Sequence, residues 1–326
     1  MKARIYPPTP SNLQRLAAVL RRGGLVAIPT ETVYGLAAHA LDAQACRAIF
    51  SAKGRPANDP LIVHVLSLAQ AEELAEFNPA ARQVARRFWP GPLTIVLPKK
   101  PCVPGIVTSG GATVALRAPA HPLARKILAL AKVPLAAPSA NPFSYISPTT
   151  AAHVQQGLGS RISHILDGGS CTVGVESTVL DLTNPAKPRI LRPGAITAAQ
   201  LGKVLKRKVS TQNRSTKNNV RLLSPGLLDR HYSPRTPLRL MARPIDATKQ
   251  IALILLRQPK GMVPAHVYSL SKRGALDEIA RNLYRVLREA DAGGYREIRM
   301  EKLPATAGGL AAALNDRMMR AASKRR

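Results

Sequence analysis

The chain has 326 residues, of which 45% are hydrophobic and 4% aromatic, and at roughly 150 residues per domain this length predicts about two globular domains. Its 48 Lys and Arg residues against 18 Asp and Glu residues give a net charge of +30, which favours contact with polyanions but cannot identify one. No apolar run approaches the roughly 20 residues of a membrane-spanning helix and the start, MKARIYPPTP, lacks an apolar signal core, so we expect a cytoplasmic protein without a membrane partner.

Helical and strand-like patterns alternate through the first 200 residues. Short runs rich in β-branched and aliphatic residues predict strands, and apolar residues three and four apart predict helices. The predicted elements, in chain order, are a helix at 12–22 with Ser11 as its N-cap, a strand at 25–28, a helix at 43–53, a strand at 61–65, helices at 68–77 and 80–88, and strands at 93–97, 113–117, 164–166 and 178–182. This alternation predicts an α/β fold with an open mixed sheet.

The composition changes after residue 202. Residues 203–226 contain seven basic residues and no acid amid Ser, Thr, Asn and Gln, which is typical of a flexible linker. Periodic structure then resumes, with predicted strands at 251–256, 266–270 and 297–300 and helices at 276–290 and 309–322. We therefore predict a first domain at 1–202, a basic linker that could act as a lid at 203–237, and a small Rossmann-like α/β domain at 238–326.

Polar residues of the first domain follow or precede its predicted strands rather than lying on helix faces. Ligands of open α/β sheets bind in the crevice at strand ends, so we expect Lys53, Arg55, Arg117 and Arg192 to line one cationic cavity. Arginine offers a two-pronged donor to phosphate or carboxylate, and lysine offers a point charge. The pattern predicts a site for an anionic ligand.

Familiar signatures of other enzyme classes are absent from the sequence. It contains no P-loop, no G-x-G-x-x-G dinucleotide fingerprint and no G-x-S-x-G serine elbow, which disfavours those folds. Cys46, Cys102 and Cys171 stand far apart without a C-x-x-C pair, so we expect neither a disulfide framework nor a metal site in the protein.

Each candidate residue also has an ordinary structural explanation. His64 in an apolar strand is typical of a buried core histidine, and Lys53 and Arg55 could complement a helix dipole. Ser139 and Asn141 before a proline are typical of a turn. Taken singly, these residues do not establish a function.

Several ordered segments of the chain together resemble the YrdC-like threonylcarbamoyl-AMP synthases in their long, two-domain form. The segments are IPTETVYGLAAHA (28–40), KGRPANDPLIVHV (53–65), APSANPFSYISPT (137–149), DGGSCTVGVESTVLDL (167–182), LRPGAIT (191–197), SPGLLDRHYSPRTPL (224–238) and GGLAAALNDRMMRAA (308–322). The resemblance implies a nucleotidyltransferase that condenses L-threonine, bicarbonate and ATP, with Mg²⁺, into threonylcarbamoyl-adenylate and pyrophosphate. A tRNA-modifying transferase would consume this product to make threonylcarbamoyladenosine.

The resemblance also implies roles for individual residues. Threonine would be held by Thr32, His64, Arg117, Ala137 and Ser177. ATP would be held by Lys53, Arg55, Asp59, Thr113, Ser139, Asn141, Ser147, Arg192, His231 and Tyr232. Asp59 departs from the family pattern, and an acid beside phosphate requires Mg²⁺ or an outward turn; Phe143-Ser144 departs from it in a neighbouring loop.

Two other functions remain open on the sequence. The charge of +30 would suit a non-catalytic module that binds double-stranded RNA or tRNA, and even the enzyme could make a weak tRNA contact. Carbamoyl transfer in hydrogenase maturation uses a similar domain, but the chain lacks the acylphosphatase-like and zinc-finger parts of those proteins.

Overall fold

The computed structural model describes residues 2–211, 232–242, 248–304 and 309–323. Its larger sheet is formed within the first 211 residues and is mixed. In chain order its strands are β1 (Arg4–Tyr6), β2 (Val26–Ile28), β3 (Gly35–His39), β4 (Ile62–His64), β5 (Leu93–Pro98), β6 (Thr113–Arg117), β7 (Leu135–Ala136), β8 (His164–Leu166), β9 (Thr178–Asp181), β10 (Arg189–Arg192) and β11 (Ser210–Thr211). They are arranged β1-β8-β2-β3-β7-β4-β6-β5-β9-β10-β11 across the sheet.

Parallel and antiparallel pairs occur side by side in this sheet. β4 runs parallel to β6, whereas β5 runs antiparallel to β6 and parallel to β9. The predicted open mixed sheet is confirmed. The short strand β11 pairs with β10, so the first residues of the predicted linker extend the larger sheet as far as Thr211; residues 212–231, on which the predicted lid depends, lie outside the described residues.

The helices begin and end at residues whose chemistry explains their bounds. Asp42 accepts hydrogen bonds from two backbone N–H groups at the start of α2, and Gly54 ends that helix with a φ of 61°, a left-handed conformation that glycine adopts without strain. The helices are α1 (Pro10–Arg21), α2 (Ala43–Lys53), α3 (Leu68–Glu72), α4 (Pro79–Phe88), α5 (Pro122–Ala131), α6 (Ala151–Leu158), α7 (Ala198–Leu205), α8 (Leu276–Ala292) and α9 (Leu310–Ala321).

The smaller sheet belongs to the C-terminal domain. Its strands β12 (Leu238–Met241), β13 (Ile251–Arg257), β14 (Val267–Ser271) and β15 (Glu297–Glu301) lie in the order β12-β15-β13-β14, and all three pairs are parallel. Helices α8 and α9 pack against this sheet. This arrangement confirms the small α/β domain predicted from the sequence.

The two domains share a hydrophobic core near one end of the larger sheet. Val33, Ile146 and Val175 of the N-terminal domain belong to the same buried cluster as the inner faces of α8, β13 and β15. Gly174 lies so close to α8 that a Cβ there would be 2.4 Å from the carbonyl oxygen of Ala280. The C-terminal domain is therefore packed directly against the part of the first domain that leads to Ser177.

Some predicted element bounds differ from the structure. The first helix is capped by Thr9 rather than Ser11, and α3 ends at Glu72, well before the predicted end at residue 77, because Ala75 instead forms a β-bridge with Lys99. The sequence analysis did not predict the short strands β1, β3, β7, β10, β11 and β12, which lack a distinctive alternating pattern, or the helices α5, α6 and α7. Within the described ranges, no helix combines the length and apolar character needed to cross a membrane.

Candidate active site

A cavity opens where strands of the larger sheet begin or end. The carboxyl ends of parallel β4 and β6 bring His64 and Arg117 to it as a pair in register. Thr32 follows β2, Ser177 precedes β9, and Arg192 ends β10. The cavity is lined by Thr30, Thr32, Val33, Gly35, Arg55, Ile62, His64, Arg117, Ala137, Pro138, Ser139, Glu176, Ser177, Arg192 and Tyr232.

The structure brings all five residues predicted for threonine to this lining. Of the residues predicted for ATP, Arg55, Ser139, Arg192 and Tyr232 also lie on it. Their positions in the chain span from 32 to 232, so the fold, not local sequence, assembles them. The lining therefore combines three arginines with hydroxyl groups and a histidine.

Arg117 is buried and joins three parts of the cavity wall. Its Nη1 donates to Thr32 Oγ1 at 2.9 Å and its Nε donates to the carbonyl oxygen of Gly91 at 3.3 Å. Its Nη2 forms an ion pair with Glu31 Oε1 at 2.7 Å. Burial alone would raise the pKa of Glu31, but the Arg117 guanidinium outweighs burial and lowers it. Glu31 is therefore ionised at neutral pH and fixes the orientation of the guanidinium.

His64 is buried at the end of β4, and its Nδ1 has no hydrogen-bond partner within the described ranges. Burial, assisted by the nearby Arg117 guanidinium, lowers the pKa of His64 to about 3. The imidazole is therefore neutral at physiological pH. A neutral ring nitrogen that faces a cavity can bond to a polar ligand without adding charge.

This lowered pKa predicts a dependence of stability on pH. The unfolded chain binds a proton at His64 below about pH 6.5 that the folded chain does not bind until about pH 3, so wild-type stability falls as the pH is lowered. Between about pH 6 and pH 4, the wild type should lose about 1.4 kcal/mol more per pH unit than His64→Gln. Urea unfolding measures this difference, and measurements at about pH 8 give the cost of the substitution itself. Parallel pH profiles would contradict the assignment.

Ser177 and Arg192 form one corner of the cavity. Ser177 Oγ lies 2.8 Å from Thr94 Oγ1 and accepts a hydrogen bond from Arg192 Nη2 at 3.1 Å. Arg192 Nε donates to the carbonyl oxygen of Ser177 at 3.1 Å. These bonds fix the position of the guanidinium at the end of β10.

Arg55 and Asp59 form a buried ion pair beside the cavity. Arg55 Nη2 lies 2.9 Å from Asp59 Oδ2, and the two side chains are 2% and 0% exposed. Burial raises the pKa of Asp59 although Arg55, Lys53 and Arg192 oppose the shift. The sequence analysis expected the charge of Asp59 either to bind Mg²⁺ or to point away from the phosphates. In the structure, Asp59 instead points inward and pairs with Arg55.

Lys53 lies behind the lining rather than on it. Its Nζ donates to the carbonyl oxygens of Ser139 and Asn141, and burial, together with the Arg55 charge, lowers the pKa of its amine well below the ordinary value. Asn141 in turn donates through Nδ2 to the carbonyl oxygens of Pro142 and Tyr145 at 2.9 and 2.8 Å. Lys53 and Asn141 thus shape the turn that presents Ser139 to the cavity.

Four more predicted residues lie around the cavity or outside the described residues. Thr113 begins β6 on the same side of the strand as Arg117, at the opposite end from the cavity mouth. Ser147 is buried and donates to Glu176 Oε1 at 2.7 Å. His231 lies outside the described residues. Tyr232 lines the cavity with a φ of 65°, a conformation that non-glycine residues rarely adopt.

Glu176 is the charged residue of the cavity lining that the sequence analysis missed. It accepts hydrogen bonds from Ser147 and from the Tyr284 hydroxyl, and its Oε2 lies 2.8 Å from Arg317 Nε. Burial would raise the pKa of Glu176, but Arg317 and Arg192 outweigh burial and lower it. The sequence signal for Glu176 was an acid directly before Ser177, since Ser147 is 29 positions away and Tyr284 and Arg317 are more than 100 positions away.

Among the residues that the structure describes, no three or more His, Cys, Asp or Glu side chains cluster in a way that could hold a metal ion. The carboxylates nearest the cavity cations are instead engaged in ion pairs, Glu31 with Arg117 and Asp59 with Arg55. Any divalent cation at this site would therefore have to gain most of its ligands from a bound anion.

Comparisons with known proteins cover both domains. Residues 18–194 match a family described as "Telomere recombination", and residues 196–323 match one described as "Threonylcarbamoyl-AMP synthase, C-terminal domain". A threonylcarbamoyl-AMP synthase of Pyrococcus abyssi is 42% identical over 306 residues, 90% of each chain. One of Bacillus subtilis is 38% identical over 96% of this chain and 93% of its own.

A solved structure is similar over nearly the whole chain. The crystal structure of P. abyssi Sua5 complexed with L-threonine superposes with a TM-score of 0.89 at 38% identity, covering 98% of both chains. Similarity at this coverage extends to both domains and to their relative placement.

Proposed function

The chain belongs to the threonylcarbamoyl-AMP synthase family in its two-domain form, and we propose on that premise that its cavity condenses L-threonine, bicarbonate and ATP. The products are threonylcarbamoyl-adenylate and pyrophosphate. One observation carries the proposal: the residues predicted to bind threonine all line one cavity, together with Arg55 and Arg192. Those residues are Thr32, His64, Arg117, Ala137 and Ser177.

Threonine occupies the side of the cavity formed by Arg117 in this proposal. The Arg117 guanidinium binds the amino-acid carboxylate, and Thr32, which accepts a hydrogen bond from it, helps to fix the orientation. The neutral His64 and the Ser177 hydroxyl bond to the remaining polar atoms, and the backbone of Ala137 completes the wall. A buried arginine suits a carboxylate because its planar fork matches two oxygens.

ATP occupies the side formed by Arg55, Ser139, Arg192 and Tyr232. Arg55 and Arg192 bind phosphate oxygens, while Lys53, Asn141 and Ser147 support the loops that carry Ser139 and Glu176. Asp59 orients Arg55, while the nucleotide roles of Thr113 and His231 stay predictions from the resemblance. Mg²⁺ would enter with ATP and neutralise part of the phosphate charge, because this ion is usually bound through substrate phosphates with few protein ligands.

The reaction needs several anions to share one small space. The threonine amine adds to CO₂ derived from bicarbonate, with loss of water, and the resulting carbamate oxygen attacks the α-phosphorus of ATP. A P–O bond forms to the carbamate while the bond to pyrophosphate breaks. Fixed arginines favour this step by holding carboxylate, carbamate and triphosphate together and by stabilising the charge of the transition state.

The adenylate is an activated intermediate, so a downstream transferase that modifies tRNA would consume it. We place the enzyme in the cytoplasm, where tRNA is available, with at most a weak tRNA contact of its own. Binding of RNA without chemistry is the second candidate, and only the net charge of +30 favours it.

Pyrophosphate release tests the proposal. The purified protein is incubated with ATP, Mg²⁺, threonine and bicarbonate, and each co-substrate is omitted in turn. We expect release only when both threonine and bicarbonate are present, because the carbamate is the nucleophile. Pyrophosphate release that does not depend on threonine would contradict the proposal. Binding of tRNA without any pyrophosphate release would also contradict it and would favour the RNA-binding alternative.

A further inference from the structure

The Glu176 carboxylate lies on the cavity wall but is held from the other domain. The Tyr284 hydroxyl of α8 donates to Oε2 at 2.9 Å, and Arg317 Nε of α9 donates to the same oxygen at 2.8 Å. Ser147 supplies a further donor to Oε1 at 2.7 Å. Two of the three side chains that hold this carboxylate therefore come from the C-terminal domain.

The Arg317 guanidinium is buried at the domain interface, where several groups pair with its charge. Its side chain is 0% exposed, so its guanidinium must be fully paired to avoid a large desolvation cost. Nη1 pairs with Asp316 at 2.6 Å and Nη2 donates to the carbonyl oxygen of Pro193 at 3.0 Å. Pro193 directly follows Arg192, so Arg317 contacts the chain on both sides of the corner formed by Ser177 and Arg192.

The same two C-terminal residues also pack on a second cavity residue. The Arg317 guanidinium lies 5.3 Å from the centre of the Tyr232 ring. The centres of the Tyr284 and Tyr232 rings are 5.7 Å apart. Tyr232 is 1% exposed and has a φ of 65°, a conformation that persists only when its surroundings enforce it. Arg317 and Tyr284 thus contact both Glu176 and Tyr232.

We propose that Tyr284 and Arg317 are positioning residues through which the C-terminal domain keeps the Glu176 carboxylate away from Arg192. This inference rests on the proposed function, because it assumes that Arg192 binds phosphate. It gives the C-terminal domain a role in the reaction although none of the cavity-lining residues belongs to the described part of that domain.

The physical reason is a competition between cations for one buried carboxylate. Both Arg317 and Arg192 interact electrostatically with Glu176. A buried carboxylate that loses its partners must find another cation or a proton. Without Arg317, Glu176 would turn toward Arg192, and this new ion pair would cancel the positive charge that the triphosphate requires.

Comparison of Arg317→Ala with Arg320→Ala tests the proposal. Arg320 lies on the same helix and also pairs with Asp316, at 3.0 Å, but its guanidinium is not bonded to Glu176, so it controls for loss of a buried arginine. We expect kcat/KM for ATP to fall by about 10-fold or more in Arg317→Ala relative to Arg320→Ala. The Kd for threonine without ATP should change by less than about threefold. Equal kcat/KM values in the two variants would overturn the proposal.

A second substitution separates positioning from mere support of the fold. Adding Glu176→Gln to Arg317→Ala removes the negative charge that would capture Arg192, so kcat/KM for ATP should recover by about fivefold or more. A purely structural role predicts no recovery, because the double variant has lost still more contacts. Failure to recover would therefore overturn the proposed competition for Arg192.

Tyr284→Phe provides the same test with a smaller change. It removes the hydroxyl that donates to Glu176 and keeps the ring against Tyr232, so the protein should fold even if Arg317→Ala does not. We expect kcat/KM for ATP to fall by about three- to tenfold, and an unchanged value would count against the proposal. The wild-type protein in the same assay separates this proposal from the proposed function. If the wild type itself shows no threonine-dependent release of pyrophosphate, the proposed function is refuted.

Discussion

Replacement of Arg55 with alanine should reduce threonine-dependent pyrophosphate release by about 100- to 1,000-fold, the loss seen when one fixed electrostatic contact to a transition state is removed. Arg55 lines the cavity and is oriented by Asp59 at 2.9 Å. Its guanidinium is therefore fixed before ATP arrives. Initial rates at saturating threonine and bicarbonate measure the effect.

The control for Arg55→Ala must separate a loss of catalytic activity from a loss of folding stability. Arg55→Ala leaves Asp59 as an unpaired buried acid, which costs about 3–5 kcal/mol when its charge persists. Arg55→Ala combined with Asp59→Asn removes both charges and should recover stability while remaining inactive. Arg82→Ala, which breaks a half-exposed ion pair with Glu72 at 2.6 Å, should leave turnover within about twofold of wild type. A double variant with wild-type turnover would refute the role of Arg55.

Replacement of Arg117 with alanine should weaken threonine binding by about 100-fold, since the loss of one member of a buried, hydrogen-bonded charge pair costs about 2–5 kcal/mol. Arg117 is 4% exposed and contacts Glu31, Thr32 and the carbonyl oxygen of Gly91. Isothermal titration of threonine in the absence of ATP measures the change.

Two further variants test this explanation for Arg117. Arg117→Lys keeps the charge but loses the planar fork, so its threonine affinity should fall between those of the wild type and Arg117→Ala. Arg117→Ala with Glu31→Gln removes the stranded carboxylate and should fold normally while still binding threonine weakly. Wild-type affinity in this double variant would show that Arg117 does not contact threonine.

The sequence predicted which strand ends would meet. Thr32, Arg117 and Ser177 each flank a strand, and the larger sheet brings those ends together because β4 and β6 are parallel and β9 begins nearby. The α/β class could be predicted from alternating patterns for the same reason. Local patterns are sufficient here because each residue's position depends mainly on where its own strand ends.

The pairing of charges could not be predicted in the same way. The Glu31–Arg117 pair joins residues 86 positions apart, and Glu176 meets Arg317 across 141 positions, so nothing local identifies either partner. Lys53 is a further case, because its chain position suggests a cavity residue whereas its amine binds the carbonyl oxygens of Ser139 and Asn141. Side-chain partners depend on packing that only the folded chain defines.

The hydrophobic cluster shared by Val33, Ile146 and the inner face of α8 has a consequence for how the molecule comes apart. Apolar surface buried between two domains couples their unfolding, because separation exposes it to water on both sides. The chain forms two sheets, but this buried cluster joins both domains and includes Val33, which lines the cavity. We therefore expect the C-terminal domain and the cavity to be lost in one cooperative thermal transition.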